Sequence, residues 1–129
     1  MVYVLDTHPL IWLVGQSPLL SQAALTAMSD PTALLVVPTM CLVEIQYLAA
    51  KNRIIVTPEQ IEQRLRDTPN TKIYPLDEEV VSKVPLGLDI HDAIIVATAL
   101  VYRDIRQQPA TLITKDGMVT RSGLIQTLW

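Results

Sequence analysis

A parallel α/β sandwich is the fold class this sequence predicts, and three observations predict it. Several short runs are apolar and β-branched without polar alternation, which is how strands buried on both faces read. Helical stretches separate them. No two-residue Asn-Gly or Asp-Gly connection joins one run to the next, so no hairpin signal is present.

The first run is Val2-Tyr3-Val4-Leu5, closed by Asp6. A chain that opens this way places its N-terminus in the middle of a sheet. A helix follows over Pro9–Val14. Ser17-Pro18 marks a turn, and Ser21 is an N-cap for a helix to about Met28, with Ala24, Leu25 and Met28 on one face. Ala33–Val37 is a second buried strand, ended by Pro38. Thr39 is placed to cap a helix over Met40–Ala50, with Asn52 its terminator. Between Met40 and Ala50 only Glu44 and Gln46 are polar, so this helix reads as buried on most sides.

Thr57 and Pro58 open a surface helix with a narrow stripe of Ile61 and Leu65. Lys72–Leu76 is a third strand at a sheet edge, where Pro75 is tolerable. Asp77 caps a helix through Val84. Asp89 heads a long apolar helix to about Arg103. Thr111–Thr114 is a fourth strand, ended by the turn dipeptide Asp116-Gly117. Leu124–Trp129 is a fifth.

The totals set limits. The 129 residues make one ordinary domain, residues 1–129. Half of them are hydrophobic and mean hydropathy is +0.31, so little of the chain is expected to be disordered. The longest apolar stretch, Ala93–Tyr102, is too short to cross a bilayer, and no basic leader precedes the first apolar run. A single cysteine, Cys41, permits no internal disulfide; the expectation is a reducing cytoplasm. The net charge of −3 argues against a broad nucleic-acid-binding surface.

Four acids stand out. Asp6 and Asp116 each follow a buried strand, and at the carboxyl ends of parallel strands lies the ligand crevice of such sheets. Glu44 has Met40, Cys41, Tyr47 and Leu48 as its helical neighbours, and a carboxylate there is expensive unless paired or ligated. Asp92 lies in the first turn of the most apolar helix, presented from the core. Each has a simpler reading: a helix cap for Asp6, a buried ion pair with an arginine for Glu44, a dipole-favoured acid for Asp92, a turn for Asp116. Together they suggest a cluster, which repulsion disfavours unless a divalent cation intervenes. Oxygen donors point to Mg²⁺ or Mn²⁺, and phosphate-ester chemistry suits such a site.

Set out in order, these residues resemble a PIN domain, and more narrowly the toxin ribonucleases of VapBC toxin–antitoxin pairs. Leu5-Asp6-Thr7-His8-Pro9-Leu10-Ile11-Trp12 is similar to the first motif of that family, Val43-Glu44-Ile45 to the second, Asp89 through Ala99 to the third, and Leu112-Ile113-Thr114-Lys115-Asp116 to the fourth. The ending Thr127-Leu128-Trp129 fits one branch. The resemblance implies a three-layer α/β/α sandwich with a mostly parallel central sheet. It implies a metal-dependent endoribonuclease in which a metal-activated water attacks an RNA phosphodiester in line. Asp6, Glu44, Asp92 and Asp116 take the metal-ligand roles; Asp89 is a helix cap or a helper through water, and Thr114 orients a carboxylate or water. A homodimer and a VapB-like antitoxin partner are implied, with no membrane association.

Two departures from the family pattern are visible. The serine expected shortly before the second acid is replaced by Thr39 at best, and His8 and His91 sit beside acids, which invites a mixed His/carboxylate site. A serine hydrolase lacks its Gly-x-Ser-x-Gly turn, and no phosphate loop is present. A phosphatase or phosphoreceiver would need a second acid near Asp6 or a suitably placed lysine, for which Lys115 is a poor candidate. The remaining alternative is a non-catalytic PIN-like module that binds RNA or protein.

Overall fold

The computed structural model describes residues 1–129. Five parallel strands form one sheet in the order β3-β2-β1-β4-β5. They are β1 (Val2–Leu5), β2 (Leu34–Pro38), β3 (Thr71–Tyr74), β4 (Ala110–Ile113) and β5 (Gln126–Leu128). β1 is central, as its unbroken apolar run requires: Val4 and Leu5 are essentially inaccessible to solvent. β3 is an edge, and Pro75 falls just beyond its last residue, so no ladder bond is lost.

The helices are α1 (Thr7–Val14), α2 (Gln22–Met28), α3 (Thr39–Ala50), α4 (Pro58–Arg66), α5 (Glu78–Lys83), α6 (Ile90–Leu100) and α7 (Gly117–Ser122). Strand connections of this kind are right-handed. The chain steps from β1 to β2 to β3 in one direction, then returns across the sheet to β4 and β5. Right-handed crossovers therefore put α1 to α4 on one face and α5 to α7 on the other. The packing agrees, since α1, α3 and α4 touch one another and α5 packs on α6, with α3 and α6 meeting where the two layers come together. The direction reverses at β1 and β4, and there the crevice opens.

Several sequence expectations are corrected. α3 is not buried on most sides: only Cys41 and Ile45 are buried, while Val43 is 47% and Tyr47 66% exposed. Apolar content alone does not say which face is covered. Thr39 does not cap α3; it is the first helical residue, and its hydroxyl accepts from the Leu76 N–H instead. In α2 the buried face is Ala24, Ala27 and Met28, and Leu25 points outward. The long helix after Asp89 changes at Val101 to a π-helical turn through Ile105, closed by the Arg106 N–H donating to the Val101 carbonyl. Where Asp116-Gly117 suggests only a turn, the chain forms α7. Gly117, Thr120 and Ser122 are poor helix formers, and the helix exists because Asp116 caps it and Gly123 ends it at φ 65°.

Other local signals hold. Ser21, Thr57 and Asp77 each accept a backbone N–H at a helix start, and Thr57 with Gln60 forms a reciprocal capping box. Asn52 takes the left-handed conformation after α3, at φ 55°. The core is one cluster, and α6, buried without a break from Ala93 to Leu100, supplies six of its residues.

Candidate active site: an acidic cleft at the strand reversal

The register between β1 and β4 builds the floor of the site. Leu5 is opposite Ile113, so the next residues, Asp6 and Thr114, leave the sheet side by side. Thr114 is buried, and its hydroxyl donates to Asp6 Oδ2 at 2.7 Å while accepting the Asp116 N–H at 3.0 Å. Asp6 Oδ1 accepts the Thr7 N–H at 2.7 Å, which opens α1. Asp116 Oδ1 accepts the Val119 N–H at 3.0 Å and so caps α7. The capping reading of Asp6 is therefore true, Asp116 caps a helix where only a turn is expected, and neither cap competes with a role in a site. Each bond fixes one oxygen and aims the carboxylate.

The other two acids arrive from opposite layers. Glu44 projects from α3, and the buried Thr7 hydroxyl donates to its Oε1 at 3.0 Å. No arginine or lysine pairs with it; the three ion pairs of the molecule lie elsewhere. Asp92 projects from the first turn of α6. Asp6, Glu44, Asp92 and Asp116 all line one cleft of about 380 Å³. Glu44 Oε2, Asp116 Oδ2 and both oxygens of Asp92 accept no hydrogen bond within the protein, whereas Glu44 Oε1 and Asp116 Oδ1 are each held by one.

The cluster shows in its proton affinities. Burial pushes Asp92 up to about 6, helped by the charges of Asp116, Asp6, Glu44 and Asp89. Burial also raises Glu44, against the lowering effect of the Thr7 hydrogen bond, and Asp6 adds to the rise. The donor set is entirely oxygen, which fits a hard divalent cation. As the side chains stand, no three of them are grouped closely enough to hold one ion together.

Asp89 is not in the cleft. It occupies the N-cap position of α6, but its exposed side chain makes no capping bond there. His8 lines the acidic cleft; His91 lines an adjoining groove of about 470 Å³ that shares Glu44. The two histidines thus flank Glu44 from adjoining grooves. Trp12 and Lys115 also line the cleft, and sequence reasoning gives neither a place in the site. Trp12 lies one helical turn after His8, a spacing that could have drawn attention to both.

The chain is thus a parallel α/β sheet with four carboxylates gathered at its strand reversal. More narrowly, the PIN domain family model matches residues 3–121, and the chain belongs to that family. Among solved structures, the chain is similar to VapBC2 from Rickettsia felis, bound to a DNA fragment from their promoter, at 16% identity and TM-score 0.68, covering 99% of this chain and 98% of that one. A toxin–antitoxin complex from Klebsiella pneumoniae matches at 19% identity and TM-score 0.64, covering 98% and 96%. VapBC-1 from nontypeable Haemophilus influenzae matches at 20% identity and TM-score 0.59, covering 99% and 97%. These likenesses concern the fold. No curated protein sequence matches significantly. No helix is long and apolar enough to cross a membrane.

Proposed function

We propose that this chain is a single-domain, VapC-like endoribonuclease of the cytoplasm, which hydrolyses RNA phosphodiester bonds with Mg²⁺ or Mn²⁺ and is held in check by a VapB-like antitoxin. The observation that carries this reading is the gathering of Asp6, Glu44, Asp92 and Asp116 in one cleft from four separate segments. Family membership and the VapBC likenesses support it. A homodimer is part of the same proposal, supported by the exposed Leu86 and Ile90 near the head of α6.

The four carboxylates would hold the cation. Bound there, it supplies a lowered pKa for an attacking water and neutralises charge on the phosphate. The chain itself does the positioning. Thr114 sets Asp6, Thr7 sets Glu44, and the first turn of α7 sets Asp116. No histidine or lysine is placed as an evident general base.

A second reading, a PIN-like module that binds RNA or protein without cutting, is favoured by the spread of the acids as they stand. The deciding experiment is cleavage of a mixed RNA pool with Mg²⁺ or Mn²⁺, with EDTA, and with Asp92→Asn as the contamination control. Metal-dependent cleavage that vanishes in the variant establishes the nuclease. Absence of both cleavage and metal binding favours the module.

A further inference from the structure

The acidic cleft has a part that metal binding leaves unused. His8, Trp12 and Lys115 line it beside the four acids. Trp12 is partly buried and edge-on to Trp129, with ring centroids 5.6 Å apart at 61°. The His8 ring lies 5.6 Å from Trp12, tilted at 48°. Lys115 Nζ stands 5.8 Å from the centroid of the Trp12 ring. Although Lys115 immediately precedes Asp116 and lines a cleft with four carboxylates, it forms no ion pair with any of them. It is exposed, and of the lysines and arginines it alone lines this cleft.

An aromatic face fixed beside a free ammonium is what a single nucleic-acid strand uses. Every base has a π face that stacks on an indole, whatever the sequence, and the phosphate beside it needs a cation. The need is acute here, because a phosphate approaching four carboxylates is repelled on every other side. Lysine is well suited to meet it, since its long stem lets the ammonium swing off the ring and follow the phosphate, uncovering the indole for a base.

We infer that Trp12 and Lys115 form a docking step for one nucleotide of a single-stranded RNA, with the base stacked on Trp12 beside His8 and the adjoining phosphate held by Lys115 at the border of the acidic cleft. The choice of RNA as the strand rests on the nuclease reading above; the docking step itself rests on the aromatic–cation pair. Both residues bind the strand and position it. Sequence preference must then come from elsewhere, since stacking tolerates any base.

The test is equilibrium binding of a labelled, mixed-sequence single-stranded ribo-oligonucleotide by the full chain carrying Asp92→Asn, so that the strand stays intact, in Mg²⁺. Adding Trp12→Ala is expected to weaken binding roughly tenfold or more. Trp12→Phe should retain most of the affinity, and the same RNA as a duplex should be indifferent to residue 12. Lys115→Gln should flatten the slope of log affinity against log salt by about 0.7. Lys115 is exposed, so that variant tests the idea even if Trp12→Ala fails to fold. Unchanged affinity in folded Trp12→Ala, or an unchanged salt slope in Lys115→Gln, overturns the inference. The nuclease reading is decided separately with Asp92 intact. Cleavage indifferent to residues 12 and 115 sinks the docking step alone; Trp12-dependent binding without cleavage sinks the nuclease alone.

Discussion

Burial first, and then the charges of Asp116, Asp6, Glu44 and Asp89, move Asp92 from 3.8 to about 6. The direction has a consequence for stability. An acid whose native pKa lies above its unfolded value takes up a proton on folding between the two, so the metal-free protein gains stability as pH falls from about 6 toward 4. Above pH 6 the ionised side chain is a standing penalty. Removing that charge should therefore help at neutral pH. Asp92→Asn is expected to raise the stability of the EDTA-treated protein at pH 7 by about 1 kcal/mol, once the shift is discounted for solvent screening at a partly exposed group. The gain should disappear by about pH 4, where the wild-type carboxyl is already neutral. Paired thermal melts at pH 4 and pH 7 check this, and a variant less stable than wild type at pH 7 would rule out the repulsion account. Cleavage by the same variant should be lost at every pH.

At the level of elements, Asp116 separates two jobs that one side chain performs. Its Oδ1 caps α7, while Oδ2 is left for the cleft. Asparagine keeps a capping oxygen and loses the charge; alanine loses both. Asp116→Ala should cost about 1 kcal/mol of stability, and Asp116→Asn only a few tenths. Both should abolish cleavage, and equal melting temperatures for the two would show that the cap contributes nothing. Here, too, lies the limit of what the sequence reveals. The strands and four of the caps are legible because they depend on short-range chemistry: Val4 and Leu5 in an unbroken apolar run, Ser21, Thr57 or Asp77 before a helix. α7 is not legible, because it is six residues long, three of them poor helix formers, and relies on Asp116 and Gly123 at the two ends. The exposed face of α3 is not legible either, since Met40, Val43 and Tyr47 look alike in a sequence whether covered or not. In the site, the acids can be read because buried charge is costly and therefore conspicuous. Trp12 and Lys115 cannot, because a tryptophan on an apolar helix and a lysine in a turn are unremarkable until the sheet brings them together.

Across the whole molecule, the strand order puts the four acids on segments that are far apart in the chain and that belong to both helical layers. Asp6 and Asp116 hang from adjacent central strands, Glu44 from α3 and Asp92 from α6. A cation shared among them would tie the two layers to the sheet at its reversal point. Anything that binds only the folded state stabilises it by mass action, by about 2.7 kcal/mol at a hundredfold excess over the dissociation constant. For a domain of this size that is a rise of several degrees in Tm. The expected result is a Tm that climbs with Mg²⁺ or Mn²⁺ in wild-type protein, reverses with EDTA, and climbs much less in Asp92→Asn. Because that variant starts out more stable at pH 7, the two titration curves should converge or cross as cation is added. Amide hydrogen exchange gives the spatial half of the test. Protection should rise together in the first turn of α6 and around Glu44 in α3, two stretches from different layers that meet at the cleft. A flat Tm in wild-type protein, or the same rise in both proteins, would mean that the acids of the two layers do not act as one site.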